Sequence, residues 1–361
     1  MKAIASAVLS VALLFAFVGI VWFAPAEAQA PGPTPQQQQQ PPSPPPQQPA
    51  QQQPAPSGTS IAVEVPIVTL DVVAATNNGD IITGLKRENF RIFEDGVAQT
   101  ITSFGPTDAP ITMVVVMEFS ARYYGYFSYV AKYWSTALFP QLKQQDWVAL
   151  VTFDMKPRLE VDFTQNKEEV RDAILHLYFP GFSESNVFDA LLDTVDRLKD
   201  VKGKKSILLI CTGRDTFSKH NLDQTMKALH QTDVSVFAVG LSRYITNALE
   251  VSGYHGSEIS FIQDQNQLTT FAKETGGMAW FPQFEGELPG IFQQVAAFLR
   301  NQYSLTYTPT NRARDGSFRK IKVELVAPDG TPLVVLNQKQ KKQKYQVYVR
   351  EGYVAPKAGD Q

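Results

Sequence analysis

Between residues 109 and 300 short apolar runs alternate with amphipathic segments, and this alternation limits the fold more than any other feature of the chain. Residues 111–117, 147–153, 206–211 and 234–241 are runs dominated by Val, Ile and Leu. Such runs suit strands buried on both faces, which a parallel sheet covered by helices on each side provides. Apolar residues at three- and four-residue spacing predict helices near 126–142, 167–177, 187–199, 221–231, 265–275 and 288–300, with a short strand at 278–281. Strands alternating with helices predict an α/β unit, a doubly wound and mostly parallel Rossmann-like sheet.

On either side of this unit the pattern is β. Residues 61–108 carry about four strands, with turns at Asn77-Asn78-Gly79-Asp80 and Asp95-Gly96. Residues 301–355 carry four more, at 303–307, 318–326, 333–336 and 345–349. Neither flank buries a sheet face alone, and the termini of an inserted domain usually lie close together. The expected architecture is therefore one β-sandwich built from 61–108 and 301–355 and interrupted by the α/β unit at 109–300; two separate small β-modules are the rival arrangement.

The first sixty residues cannot join a packed core. Residues 1–30 hold one basic residue, Lys2, an apolar run over 4–23, and small residues suited to signal peptidase after Ala28 or Ala30. That run is also long enough to span a bilayer, so a cleaved signal and an uncleaved anchor both predict export. Residues 31–60 are almost wholly Pro, Gln, Ala and Ser, a spacer with too little apolar surface to offset chain entropy. A net charge of −2, with both signs interleaved, gives no footprint for nucleic acid, and membrane contact is expected only through the N-terminal segment. The basic stretch Lys339, Lys341, Lys342, Lys344 reads as a solvated turn between strands. The single cysteine, Cys211, ends an apolar run and reads as a buried structural thiol.

Ligands of open parallel sheets bind where strands end at their carboxyl edge. There the first strand runs into Glu118-Phe119-Ser120-Ala121-Arg122 and the fourth into Cys211-Thr212-Gly213-Arg214-Asp215. In these segments the chain resembles the von Willebrand factor A family, whose first strand ends in Asp-x-Ser-x-Ser, with a Thr and a later Asp completing a divalent-cation site. Its flanks are similar to the related family first described from acidobacteria, through Gly84-Leu85-Lys86-Arg87-Glu88-Asn89-Phe90, Phe93-Glu94-Asp95-Gly96, Tyr303-Ser304-Leu305-Thr306-Tyr307-Thr308-Pro309, Asp315-Gly316-Ser317-Phe318-Arg319-Lys320-Ile321-Lys322-Val323 and Arg350-Glu351-Gly352-Tyr353. That resemblance implies architecture and export more than a task.

Residue by residue, the metal pattern is altered. Glu118 stands at the leading Asp, Ser120 matches, Arg122 occupies the second Ser position, Ser185 aligns with the Thr, and Thr212 stands where the later Asp belongs. Mg²⁺ demands hard oxygen ligands, and a guanidinium offers none. The expectation is no cofactor, Mg²⁺ being the ion a retained site would take. Arg122 then pairs with Glu118, presents its fork to a partner carboxylate, or points to solvent. The expected binding edge comprises Glu118, Ser120, Arg122, Ser185, Thr212 and Asp215, with Tyr123 and Tyr124 before the first helix as contacts for a protein or a glycan. Phe127, Val130, Ala131 and Trp134, spaced three and four apart, read as helix packing. No enzyme is predicted: His176, His220, His230 and His255 are scattered, Cys211 has no adjacent base, and Asp189 and Asp215 read as caps. The function expected is an exported protein-binding module for adhesion or assembly. A Mg²⁺-dependent adhesin and a structural envelope protein with an inert edge are its rivals.

Overall fold

The computed structural model describes residues 67–106, 109–250 and 258–358. The leader or anchor at 1–30, the spacer at 31–60 and His255 lie outside them. No helix among the described residues is long and apolar enough to cross a membrane.

The N-terminal flank supplies four strands, β1 (Val68–Thr76), β2 (Phe90–Glu94), β3 (Val97–Gln99) and β4 (Ile101–Pro106). Asp95 and Gly96 join β2 to β3 with φ values of 49° and 83°, the double positive φ of a tight hairpin turn. The expected second hairpin after Asp80 shrinks to an isolated bridge between Ala75 and Ile81.

The α/β unit then runs β5 (Ile111–Glu118), α1 (Tyr124–Leu138), β6 (Trp147–Phe153), β7 (Pro157–Thr164), α2 (Lys167–Leu175), α3 (Val187–Leu198), β8 (Lys204–Cys211), α4 (Leu222–His230), β9 (Ser235–Gly240), α5 (Ser242–Glu250), α6 (Glu258–Thr275), β10 (Ala279–Trp280) and α7 (Leu288–Arg300). Its sheet has the order β10-β9-β8-β5-β6-β7, parallel throughout except for β7. The central strand β5 is buried along its whole length. Met113, Val115 and Met117 face the layer of α1 and α7, while Val114 and Val116 face α3. Phe127, Val130, Ala131 and Trp134 of α1 are buried in the first of these layers, as their spacing predicts. Strand β7 escaped the sequence reading because it lies at the sheet edge and buries only Val161, leaving no apolar run. Helix α5 was not foreseen either.

After α7 come β11 (Tyr303–Tyr307), β12 (Phe318–Leu325), β13 (Val335–Leu336), β14 (Lys342–Gln343), β15 (Tyr345–Tyr348) and β16 (Gly352–Val354), six strands where four were expected. Two of them are β14, inside the lysine-rich stretch and pairing with β13, and β16. The flanks form two antiparallel sheets, β15-β1-β11-β4 and β16-β12-β2-β3, each mixing strands from both sides of the α/β unit. Leu70, Val72, Phe90, Ile92, Leu305, Tyr307, Ile321 and Val323 fill a single core between them. On the opposite face of β1 the second half is buried as well. Val73 and Ala75 join the α/β core beside Phe298 and Trp280, and Phe298 meets Tyr348 of β15 at 5.0 Å.

Candidate functional site

The chain leaves β5 toward β6 on one side of the sheet and leaves β8 toward β9 on the other. The crevice between the carboxyl ends of β5 and β8 is therefore the topological switch point, the place where an open α/β sheet exposes loop backbone to a ligand. Glu118 ends β5, and Thr212 follows β8.

Glu118 spans this crevice. Its Oε1 accepts the Ser120 hydroxyl at 3.1 Å, and its Oε2 accepts both the backbone N–H and the hydroxyl of Thr212, each at 2.7 Å. The extra methylene of glutamate carries the carboxylate from one strand end to the next. Burial raises its pKa, opposed by the Thr212 and Ser120 hydrogen bonds and, more weakly, by the Ser185 hydroxyl. Ser185 lies close enough to Glu118 to favour its ionised form, yet its buried Oγ completes no hydrogen bond of normal geometry. Burial, and then the nearby Glu118 charge, also push up the Cys211 thiol, which is buried as expected.

Gly213 lets the chain turn sharply behind Thr212. Its φ is +88°, and a Cβ there would sit 2.9 Å from the backbone oxygen of Asp264 in α6. Gln267 of the same helix donates to the Gly213 carbonyl, and the Arg214 guanidinium reaches Asp264 at 3.4 Å, so α6 clamps this loop. Asp215 faces away from the crevice. It accepts the N–H of Phe188 in the first turn of α3 together with the N–H and hydroxyl of Ser218, the capping role read from sequence. Asp189, inside α3, instead stabilises the loop before α4, accepting the N–H groups of Lys219 and His220 and facing the His220 ring.

Arg122 is exposed, with its guanidinium carbon 5.9 Å from the Tyr123 ring centroid. It is not among the groups bonded to Glu118, so of the three placements open to it the internal pair is not formed. Tyr124 packs edge-on against Phe119 and at 4.9 Å against Phe179, half-buried between them. Thus Glu118, Ser120, Ser185 and Thr212 meet in the crevice, Arg122 and Tyr123 stand outside it, and Asp215 belongs to the α3 cap.

Residues 113–274 match the family model for the von Willebrand factor type A domain. The chain contains a von Willebrand factor A domain. Among solved structures, this domain is similar to the conserved hypothetical protein BatB of Bacteroides thetaiotaomicron, with 14% identity, a TM-score of 0.38, and coverage of 52% of this chain and 98% of that one. It is also similar to the von Willebrand factor domain of the type V pili tip protein Mfa5 of Porphyromonas gingivalis, at 10% identity and TM-score 0.40, covering 53% and 95%. A third likeness is to proximal thread matrix protein 1 of the mussel byssus with a zinc-occupied MIDAS motif, at 12% identity and TM-score 0.40, covering 54% and 48%. No curated protein matches the chain.

Around the crevice of this von Willebrand factor A domain lie side chains that the sequence reading passed over. Tyr178 is 91% exposed, Phe179 69% and Phe217 67%, and Phe182 is exposed as well. The Phe182 carbonyl accepts the Ala121 N–H, and the Phe217 carbonyl accepts from the Asn186 amide, so both loops border the crevice directly. The available signal was three aromatics within residues 178–182 in a stretch without helical or strand periodicity.

Proposed function

We propose that the chain is an exported, non-catalytic protein-binding module for adhesion or assembly, and that its rim at the β5–β8 switch point binds its partner without a metal ion. The observation that carries the metal-free reading is the saturation of Glu118. Both carboxylate oxygens already accept hydrogen bonds, from the Ser120 hydroxyl and from the backbone N–H and hydroxyl of Thr212. A divalent cation favours several charged hard oxygens aimed at one point, whereas Glu118, Ser120, Ser185 and Thr212 offer one engaged carboxylate and neutral hydroxyls, with an exposed guanidinium beside them. The residues present do not suit such an ion; Glu118 performs by direct hydrogen bonding the cross-link between strand ends that a bound cation would otherwise supply.

Contact falls to what stands outside the crevice. Exposed aromatic side chains on loops contribute large apolar area at low entropic cost, and Arg122 adds a bidentate donor for a carboxylate of the partner. The match of residues 113–274 to the von Willebrand factor type A domain, a common protein-interaction fold, supports this reading. A glycan is the second ligand class that Tyr123 suits.

Calorimetric titration with Mg²⁺ and Mn²⁺ tests the metal-free reading: micromolar binding abolished by Ser120→Ala overturns it. Crosslinking capture from the native envelope tests the rim, with loss expected for Arg122→Glu and Phe182→Ser. Unchanged partners in both variants would assign the attachment to the sandwich or the spacer instead.

A further inference from the structure

A second cluster lies on the outer flank of α1, away from the crevice. The hydroxyls of Tyr129 and Tyr133 both donate to Oε1 of Glu285, each at 2.5 Å, and the two hydroxyls lie 3.0 Å apart. The rings of Tyr129 and Tyr133 meet edge-on at 5.2 Å. Tyr126 and Tyr244 form a second edge-on pair at 6.1 Å, and the Tyr244 hydroxyl feels both Glu285 and Tyr129. Phe284, 64% exposed, precedes Glu285 in the turn before α7. Asn247 of α5 holds that turn by donating to the Gln283 carbonyl.

The charge balance of this cluster is one-sided. Glu285 is exposed, and its two tyrosine hydrogen bonds hold its pKa below the usual carboxylate value, so it is an anion at neutral pH. Its bonded partners are tyrosines, and among the described residues no Lys or Arg pairs with it. Both donors bind Oε1 and neither engages Oε2. A fixed, exposed carboxylate beside tyrosine rings is an arrangement that attracts an organic cation, through Coulomb attraction and any ring face the cation can reach.

We propose that Glu285, with Tyr129, Tyr133 and Phe284, forms a receptor for a lysine or arginine side chain of a partner protein. It is a site separate from the rim and works through the opposite charge. The rim presents a guanidinium, and this flank captures a cation.

The test is isothermal titration of the full chain with a tetra-arginine peptide at near-physiological salt, with tetra-alanine as blank. Saturable binding is expected for the wild type, weakened about tenfold by Glu285→Gln and less by Tyr129→Leu. Glu184→Gln removes the same charge from an exposed position elsewhere and Arg122→Ala alters the rim; neither should change the affinity. Equal losses in Glu285→Gln and Glu184→Gln would reduce the effect to general electrostatics and overturn the proposal, as would wild-type affinity in Glu285→Gln or no saturable binding at all. Since Glu285 is exposed, an unchanged melting temperature verifies that its variant is folded. Failure here leaves the rim reading intact, because that reading is judged by the Arg122 and Phe182 variants.

Discussion

The amino end of the parallel sheet and the β5–β8 crevice at its carboxyl end treat charge differently. At the amino end of the sheet, buried charged groups are met by charges or backbone oxygens. Asp146 accepts the Ile111 and Lys143 N–H groups and pairs with Arg300 at the end of α7. Lys204 donates to the Leu299 carbonyl and lies near Asp71 of β1. Lys205 pairs with Asp233 at 2.6 Å, and Arg350 donates to the Thr232 carbonyl. At the carboxyl end the crevice holds one buried carboxylate satisfied by hydroxyls, surrounded by exposed rings and a guanidinium. The base is where the α/β unit is knitted into the two β sheets. The rim is left to meet something else.

The largest effect should come from breaking the base. Asp146→Ala strands the Arg300 guanidinium and the Ile111 N–H, and should cost about 3–5 kcal/mol in urea denaturation. A loss under about 1 kcal/mol would mean the base is not the anchor. At the rim, Thr212→Val removes one of the donors to a buried carboxylate and should cost about 1–3 kcal/mol by the same measurement. A larger loss than at Asp146 would reverse the ranking of the two ends.

Titration sharpens the contrast. Burial raises the pKa of Glu118 above its unfolded value, so its contribution to stability is complete at low pH and is lost as pH rises through the folded pKa. Burial lowers the pKa of Lys204 to about 8, against 10.5 unfolded; its contribution is complete above the unfolded value and is lost as pH falls through about 8. Stability differences between the wild type and Glu118→Gln, and between the wild type and Lys204→Met, measured across pH, should therefore slope in opposite directions. Parallel slopes would refute the assignment. Tyr178→Ser, at a fully solvated side chain, should shift stability by no more than about 0.5 kcal/mol while weakening partner capture. A clear loss of stability there would show that the ring packs against the domain instead of serving a partner.

The alternating apolar runs determined the α/β class, the order of its main strands and the buried face of α1, because strands and helices buried in a central sheet have local sequence periods that no distant contact overrides. The contrast of Glu118, Arg122 and Thr212 with the usual metal pattern was legible too, since a residue type announces its donor atoms. The tertiary structure decided the rest. Only contacts between β5 and β8 revealed that Glu118 reaches Thr212, and that Arg122 takes no part in the bond. Only the fold brought Glu285 to Tyr129, 156 residues away in sequence. It also decided that β1 serves two cores at once, with Leu70 and Val72 on one face and Val73 and Ala75 on the other. A strand buried on both faces looks the same in sequence whatever covers each face, so the identity of the neighbour is a tertiary fact.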